Sequence, residues 1–497
     1  MADHDDSCLK LPQFKRSKHV LVFPLPAQGH MSGMFRLSIA LAKRGVTVSV
    51  VAVERHIVLL RTFDEVQALD NFNLIPYENP EEEVDVLKFL DISRNLSRPV
   101  FDKLVENRKA GLPGPTCIIG DSVLTWLPDT AKELNVHYYQ FSSFGAVYIR
   151  ALQAYSQLLA DGVLIVKEVG PNGIRMPAEF DGLLKIPGLP ALKHGEMANS
   201  SIQIEISKAI SDTVAKADAV VVNTFYELES SVIDSIRQSW LDHSTGGKIH
   251  KLFPVGPLSN AASFKDRCFV EHLNSQRPDC LKWLDSRPPQ SVVYICVGSV
   301  VLLSSDQIRE LALAMEGSNL SFLWATNKGS EGSLPPGFQE RTKANIMIVW
   351  GWVPQLQILG HSSIGGFLTH CGWNSIIESV TSGVPMVAWP QLGVDQFTNC
   401  RLLVDVLKVA TEVRPQESSA EDFTPLTVES IAPGLLCNPN QLTSEAFESA
   451  LRLLMSTEEG HAMRCRVQEL KKKAEATVED GGGSANALDD LAENIPA

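Results

Sequence analysis

Residues 19–53 read HVLVFPLPAQGHMSGMFRLSIALAKRGVTVSVVAV. His19 to Phe23 is a short apolar run, the pattern of a strand buried on both faces of a parallel sheet. The turn PLPAQGHMSG follows, and Met34, Phe35, Leu37, Ile39, Ala40 and Leu41 then fall at helical spacing until Gly45 stops them. A second apolar run, Val46 to Val53, closes a strand–helix–strand unit.

The order recurs far downstream. Ser291 to Val297 (SVVYICV) reads as a strand, Gly298-Ser299 as a turn, Ser305 to Met315 as an amphipathic helix and Ser321 to Ala325 as the next strand. Between the two units lie further strand candidates at Cys117-Ile118-Ile119, Val136 to Phe141 and Ala219 to Asn223, with helical stretches between them. Such alternation predicts an α/β chain with parallel sheets, and two Rossmann-like domains are the economical reading. The turn-rich stretch Phe253 to Gln290 is the strongest boundary candidate. Ligands bind at the carboxyl ends of parallel strands, so two facing sheets would share a site in the cleft between them. Near the end, His461 to Val478 reads as a charged helix broken by Gly481-Gly482-Gly483, and Glu417 to Asn440 as a surface insertion.

Composition excludes several classes. The chain has 497 residues, room for two or three domains, with 44 Lys+Arg against 58 Asp+Glu and a net charge of −14. That acidity argues against nucleic acid as a partner. Nine scattered cysteines with no C-x-x-C pair argue against a disulfide framework or a zinc module. No apolar run reaches the roughly 20 residues of a membrane span, and the polar, mixed-charge start is unlike a signal peptide, which places the protein in the reducing cytosol, expected as a monomer.

The candidate chemistry sits at strand ends. Pro26-Ala27-Gln28-Gly29-His30 stands where a dinucleotide fold would carry G-x-G-x-x-G, which weakens an oxidoreductase reading. His30 is a candidate general base at a strand-to-helix turn, with Ser32 placed to cap the helix behind it; the alternative is a structural histidine. Asp121, at the end of the Cys117 strand, could orient that ring or simply cap a helix from Val123 to Ala131. In the second half, Ile364 to Leu368 reads as a strand, Thr369 to Gly372 as a tight turn and Trp373 to Thr381 as a helix ending near Gly383. Its N-terminus suits a phosphate, with His370, Asn374 and Ser375 as further donors. Metal ligation by His370-Cys371 lacks partners at zinc-like spacing, so no metal is expected.

The stretch Trp352 to Gln396 resembles the signature box of the plant family 1 UDP-sugar glycosyltransferases. The FPLPAQGH loop with His30, the DSVLTW segment and the CVGS turn occur in that family's order, and the resemblance covers nearly the whole chain. It implies a GT-B fold: an acceptor domain over residues 1–255, a linker over 256–290, a UDP-sugar domain over 291–475 and a segment over 476–497 returning to the first domain. It further implies that Trp352 stacks on uracil, that Val353 to Gln355 meet the base edge and ribose, and that Glu378 holds the ribose hydroxyls. Ser299, His370, Asn374 and Ser375 would bind the diphosphate, and Trp373, Asp395 and Gln396 the sugar. The UDP-sugar would be a co-substrate, and no separate cofactor is implied.

His30, paired with Asp121, would then take the proton of an acceptor hydroxyl while its oxygen displaces UDP in one inverting step. No second catalytic carboxylate is required for such a step, and a metal is not demanded when a helix N-terminus receives the diphosphate. Gln396 at the end of the box suggests glucose, although the box runs one residue longer than usual between Pro390 and Asp395. Acceptor-side candidates are Phe89, Phe141, Ser142, Phe144, Leu189 and Leu392, and a phenol is the easier hydroxyl to activate. Flavonoids, simple phenolics, terpenoids and C-glycosylation of an aromatic carbon stay open, as do a binding protein without transfer activity and a glycoside hydrolase, the last lacking an obvious carboxylate pair.

Overall fold

The computed structural model describes residues 18–78, 86–161, 166–169, 174–177, 183–193, 196, 201–242, 251–258, 278–298, 303–327, 330–391, 395–414 and 442–497. Ser299, Leu392 and the 417–440 insertion lie outside the described residues, as does the side chain of Phe89.

The first sheet takes β1 (His19–Phe23), β2 (Thr47–Val53), β3 (Phe72–Tyr77), β4 (Cys117–Asp121) and β5 (His137–Ser142). Two short antiparallel pairs follow, β6 (Val166–Val169) with β7 (Ile174–Pro177) and β8 (Leu183–Leu184) with β9 (Leu192–Lys193). β10 (Ala219–Val222) and β11 (Lys251–Pro254) complete a seven-stranded parallel sheet of order β11-β10-β5-β4-β1-β2-β3. The second sheet contains β12 (Val292–Cys296), β13 (Ser321–Thr326), β14 (Ile346–Trp350), β15 (Ile364–Thr369), β16 (Met386–Ala388) and β17 (Ala410–Glu412). Its order, β14-β13-β12-β15-β16-β17, repeats the inner order of the first.

Side chains alternate across each strand, so one strand feeds two cores. In β1, Val20 and Val22 enter one core and Leu21 and Phe23 the other; in β12, Val292 and Tyr294 oppose Val293 and Ile295. One core of the second sheet runs on into the first domain, since Ala146, Val147, Val222 and Phe225 pack in it with Trp373 and Ile376. The helix Asp279–Asp285, assigned from sequence to the linker, buries Cys280, Leu281 and Leu284 in that same core and so packs with the second domain.

The long helix Glu458–Val478 runs straight through residue 475, so the return to the first domain is made by the following Glu479–Gly482 turn. There Ser484 N–H donates to Thr477 Oγ1 at 3.0 Å. The last helix, Gly483–Asn494, buries Leu488, Leu491 and Ala492 in the first domain's core, against β11 and the helix that follows β1, and Tyr139 Oη donates to the Asn494 carbonyl at 2.8 Å. No helix of the described residues is long and apolar enough to cross a membrane.

Candidate active site at two switch points

Strand order reverses between β1 and β4 in one sheet and between β12 and β15 in the other, which opens a crevice at each reversal. His30 and Asp121 lie at the first of these places, and His370, Asn374 and Ser375 at the second. The helix after β1 spans Gln28–Lys43, with Ala27 as its uncapped first boundary residue, so His30 lies on its first turn. Ser32 is inside that helix and does not cap it, a correction to the sequence reading: the chain turns at Pro24 to Pro26 and becomes helical sooner. Asp121 is the last residue of β4, next to β1 in the sheet.

His30 Nδ1 lies 2.8 Å from Asp121 Oδ2, and Asp121 is fully buried. A carboxylate only accepts, so Nδ1 carries the hydrogen and Nε2 is left as the basic nitrogen. Asp121 Oδ1 accepts Val123 N–H at 3.2 Å within the turn after β4, but the next helix begins only at Leu127 with Trp126 at its boundary and no side-chain cap, so Asp121 is not the helix cap that the sequence also allowed. Ser143 donates to Asp121 Oδ2 at 3.0 Å and sits 2.8 Å from His30 Nδ1. Burial pulls the His30 pKa down, but the charge and hydrogen bond of Asp121 and the charge of Asp395 outweigh it, and the net shift is upward.

In the second domain, β15 runs into Cys371 at φ +67° and then into the helix Trp373–Ser382, whose boundary residue Gly372 leaves the first N–H groups without a side-chain cap. Gly383 closes it at φ +74°. His370 is wedged where Gly298 and Gly372 come close: a Cβ on Gly298 would stand 2.7 Å from its Nε2. Burial holds its pKa down to about 4 against a bond to the Cys296 carbonyl, and its Nδ1 has no partner among the described residues. Gln355 Nε2 donates to Glu378 Oε2 at 2.9 Å and to Ser375 Oγ at 3.0 Å, while Tyr294 Oη donates to Gln355 Oε1 at 3.1 Å. Burial raises the Glu378 carboxyl, opposed by the Gln355 amide and by the charge of Arg36 from the first domain. Trp352 is 39% exposed just past β14, whereas Val353 is buried.

The halves meet directly. Asn374 Nδ2 donates to the Gly29 carbonyl at 2.8 Å, beside His30. The Trp373 indole is only 2% exposed: its Nε1 donates to the Asn223 carbonyl at 2.9 Å, and a Cβ on Gly145 would stand 2.7 Å from its ring. Any ligand contact from Trp373 is thus limited to its backbone, whose N–H bonds the Asp395 carboxylate. Burial pushes that carboxyl up to about 6, opposed by Asn399, which donates at 2.8 Å, and by the His30 charge. Gln396 Oε1 accepts Gln391 N–H at 2.8 Å.

The acceptor-side candidates divide. Phe144 stacks edge-on against His30, with centroids 5.8 Å apart, and lies at the rim. Phe141, at 1% exposure, faces the core beneath Gly33, and Ser142 is turned in to donate to the Phe144 carbonyl at 3.1 Å; neither can line a pocket. Leu189 is half-buried against two hydrophobic clusters. Sequence reasoning missed Ser143, Asn223 and Arg36. Ser143 lies between the candidates Ser142 and Phe144, one residue past β5, and extending that strand's alternation by one residue would have turned it to the opposite face from Ser142.

Residues 252–429 match the family model described as UDP-glucoronosyl and UDP-glucosyl transferase. The chain is 31% identical to UDP-glycosyltransferase 73C3 of Arabidopsis thaliana, covering 98% of each, and 31% identical to the scopoletin glucosyltransferase of Nicotiana tabacum, covering 96% of this chain and 98% of that one. Its fold is similar to that of Phytolacca americana UGT2 complexed with UDP-2-fluoro-glucose and pterostilbene, with TM-score 0.74, 24% identity and coverage of 96% and 100%. The GT-B architecture, the box from Trp352 to Gln396 and full-length likeness converge: the chain belongs to the plant family 1 UDP-glycosyltransferases.

Proposed function

We propose that the protein transfers glucose from UDP-glucose to the hydroxyl of a small phenolic acceptor with inversion at the anomeric carbon, using His30 as base and Asp121 as its partner. The observation that carries this reading is the 2.8 Å bond from His30 Nδ1 to the buried Asp121 at the first sheet's switch point. It leaves Nε2 to take the acceptor proton as the acceptor oxygen bonds to the anomeric carbon and the bond to UDP breaks. Asp121 stabilises the imidazolium that results. The N–H groups in the first turn of the helix Trp373–Ser382 other than that of Trp373, which Asp395 takes, receive with His370 and Asn374 the charge growing on the diphosphate. Trp352 offers an exposed ring for the uracil, and Glu378, aimed by Gln355, offers acceptors for the ribose hydroxyls.

Asp395 and Gln396 support glucose as the sugar, and the scopoletin and pterostilbene named for the two relatives are both phenols. Phe144, edge-on to His30, gives a flat acceptor an aromatic wall at the point of proton transfer.

The test is H30A assayed by mass spectrometry with UDP-glucose and a panel of phenols, with the anomeric configuration read by NMR. Turnover should fall by roughly 10²- to 10⁴-fold, the usual range for a general base, with calorimetric UDP affinity retained. Turnover equal to wild type removes His30 from this role, and a retained anomeric configuration removes the single displacement.

A further inference from the structure

Glu229 is a buried carboxylate that the reaction as described does not use. It is 1% exposed and sits in the helix Tyr226–Asp242, at the residue where the backbone leaves helical geometry (φ −130°, ψ 34°). Its two oxygens are separately engaged: Oε2 accepts Ala146 N–H at 3.0 Å and Oε1 accepts Val147 N–H at 2.7 Å. Ala146 and Val147 are the first two residues of the helix Ala146–Ala160, so a carboxylate contributed by a distant segment caps that helix end. Burial pushes the carboxyl up to about 7, and the two N–H groups hold it down.

The three residues just before this helix touch the proton-transfer site. Ser143 bonds Asp121 and lies against His30 Nδ1, Phe144 stacks on the His30 ring, and Gly145 makes room for the Trp373 ring from the second domain. We propose that Glu229 is a positioning residue for sugar transfer: by holding the Ala146 and Val147 N–H groups it fixes the Ser143–Gly145 arm against His30, Asp121 and Trp373. The inference rests on His30 being the base.

Two N–H donors facing two oxygens give a chemically specific test. Glutamine has the same shape as glutamate, but its NH₂ must face one of the two N–H groups and cannot accept from it. A side chain that merely filled space would be replaced by glutamine without loss. E229Q should therefore lower kcat about ten- to a hundredfold, the penalty of displacing a reacting group by a fraction of an ångström to an ångström, with UDP affinity within about twofold of wild type. E229D keeps the charge while withdrawing both oxygens by one methylene, and it should give the same split between kcat and UDP affinity if E229Q does not fold. Wild-type kcat in either folded variant, or UDP affinity falling in step with kcat, overturns the assignment. H30A measured alongside separates the two readings. Turnover surviving H30A removes the base, whereas a dead H30A beside a wild-type E229Q removes only the positioning role.

Discussion

The two domains each place a histidine at the switch point of a sheet with the same inner strand order, yet their surroundings drive the rings in opposite directions. Both lose solvation by burial. His30 recovers more than it loses, because Asp121 bonds its Nδ1 and Asp395 adds charge from across the cleft. Among the described residues His370, packed where two glycines leave room, finds only a backbone carbonyl, and it stays neutral down to about pH 4. The same fold position thus yields a more basic imidazole in one domain and a neutral hydrogen-bonding group in the other. The difference is made chiefly by the carboxylate on the neighbouring strand, with the charge of Asp395 adding to it.

Removing that carboxylate while keeping its shape is the sharpest way to break the contrast. D121N offers Nδ1 an amide that can donate as well as accept, so the hydrogen is no longer forced off Nε2. Turnover should fall roughly 10³- to 10⁴-fold, the scale of a lost orienting carboxylate in a proton-transfer pair. The pH profile carries the sign. Because Asp121 raises the His30 pKa above 6.5 and the proposed base is the neutral ring, wild-type kcat/KM should decline as pH falls through a midpoint above 6.5. The residual activity of D121N should keep its rate to lower pH. An acid limb that does not move would show that Asp121 does not set the ring's basicity.

The second domain is tested by its exposed ring. Trp352 is 39% exposed, so W352A removes little packing and should leave the melting temperature nearly unchanged. A lost base-stacking platform weakens binding by about 1–3 kcal/mol. Titration calorimetry with UDP should show that loss, and kcat at saturating donor should stay within a few-fold of wild type. Equal UDP affinity would mean that the uracil lies elsewhere.

How much of this could be read from the chain follows from how local each signal is. The helix Trp373–Ser382, its strand and its glycine stop lie within one short stretch, and the sequence placed them to within a residue. His30 and Asp121 were legible because one opens the helix that follows β1 and the other ends the adjacent parallel strand β4, on the carboxyl side where this fold puts reactive groups. Ser143 and Glu229 were not, because their meaning depends on partners far along the chain: Asp121 for one, Ala146 and Val147 for the other. Phe141 was misjudged for the opposite reason. It shares the aromatic, loop-adjacent look of Phe144, but Phe141 is still inside β5 with its ring in the core, whereas the strand ends at Ser142 and Phe144 lies beyond it beside His30.

The smallest expected effect is the one that compares the two histidines most directly, through stability against pH. His370 takes up a proton near pH 6.5 when unfolded but only near 4 when folded, so between those values the unfolded state binds more protons. Its contribution to stability is present above 6.5 and is lost as pH falls toward 4. H370Q should therefore lose less melting temperature than wild type over that interval, by about 2–4 °C for each kcal/mol recovered. His19 and His56 are also held down to about 4 by burial, but they are common to both proteins and cancel in the difference. His30 has the reverse sign: its pKa is raised by folding, so its contribution is complete below 6.5 and lost as pH rises through the higher folded value. H30Q should flatten the alkaline side of the curve and leave the acid side alone. If both substitutions change the same side, the two histidines share one environment and the contrast between the domains fails.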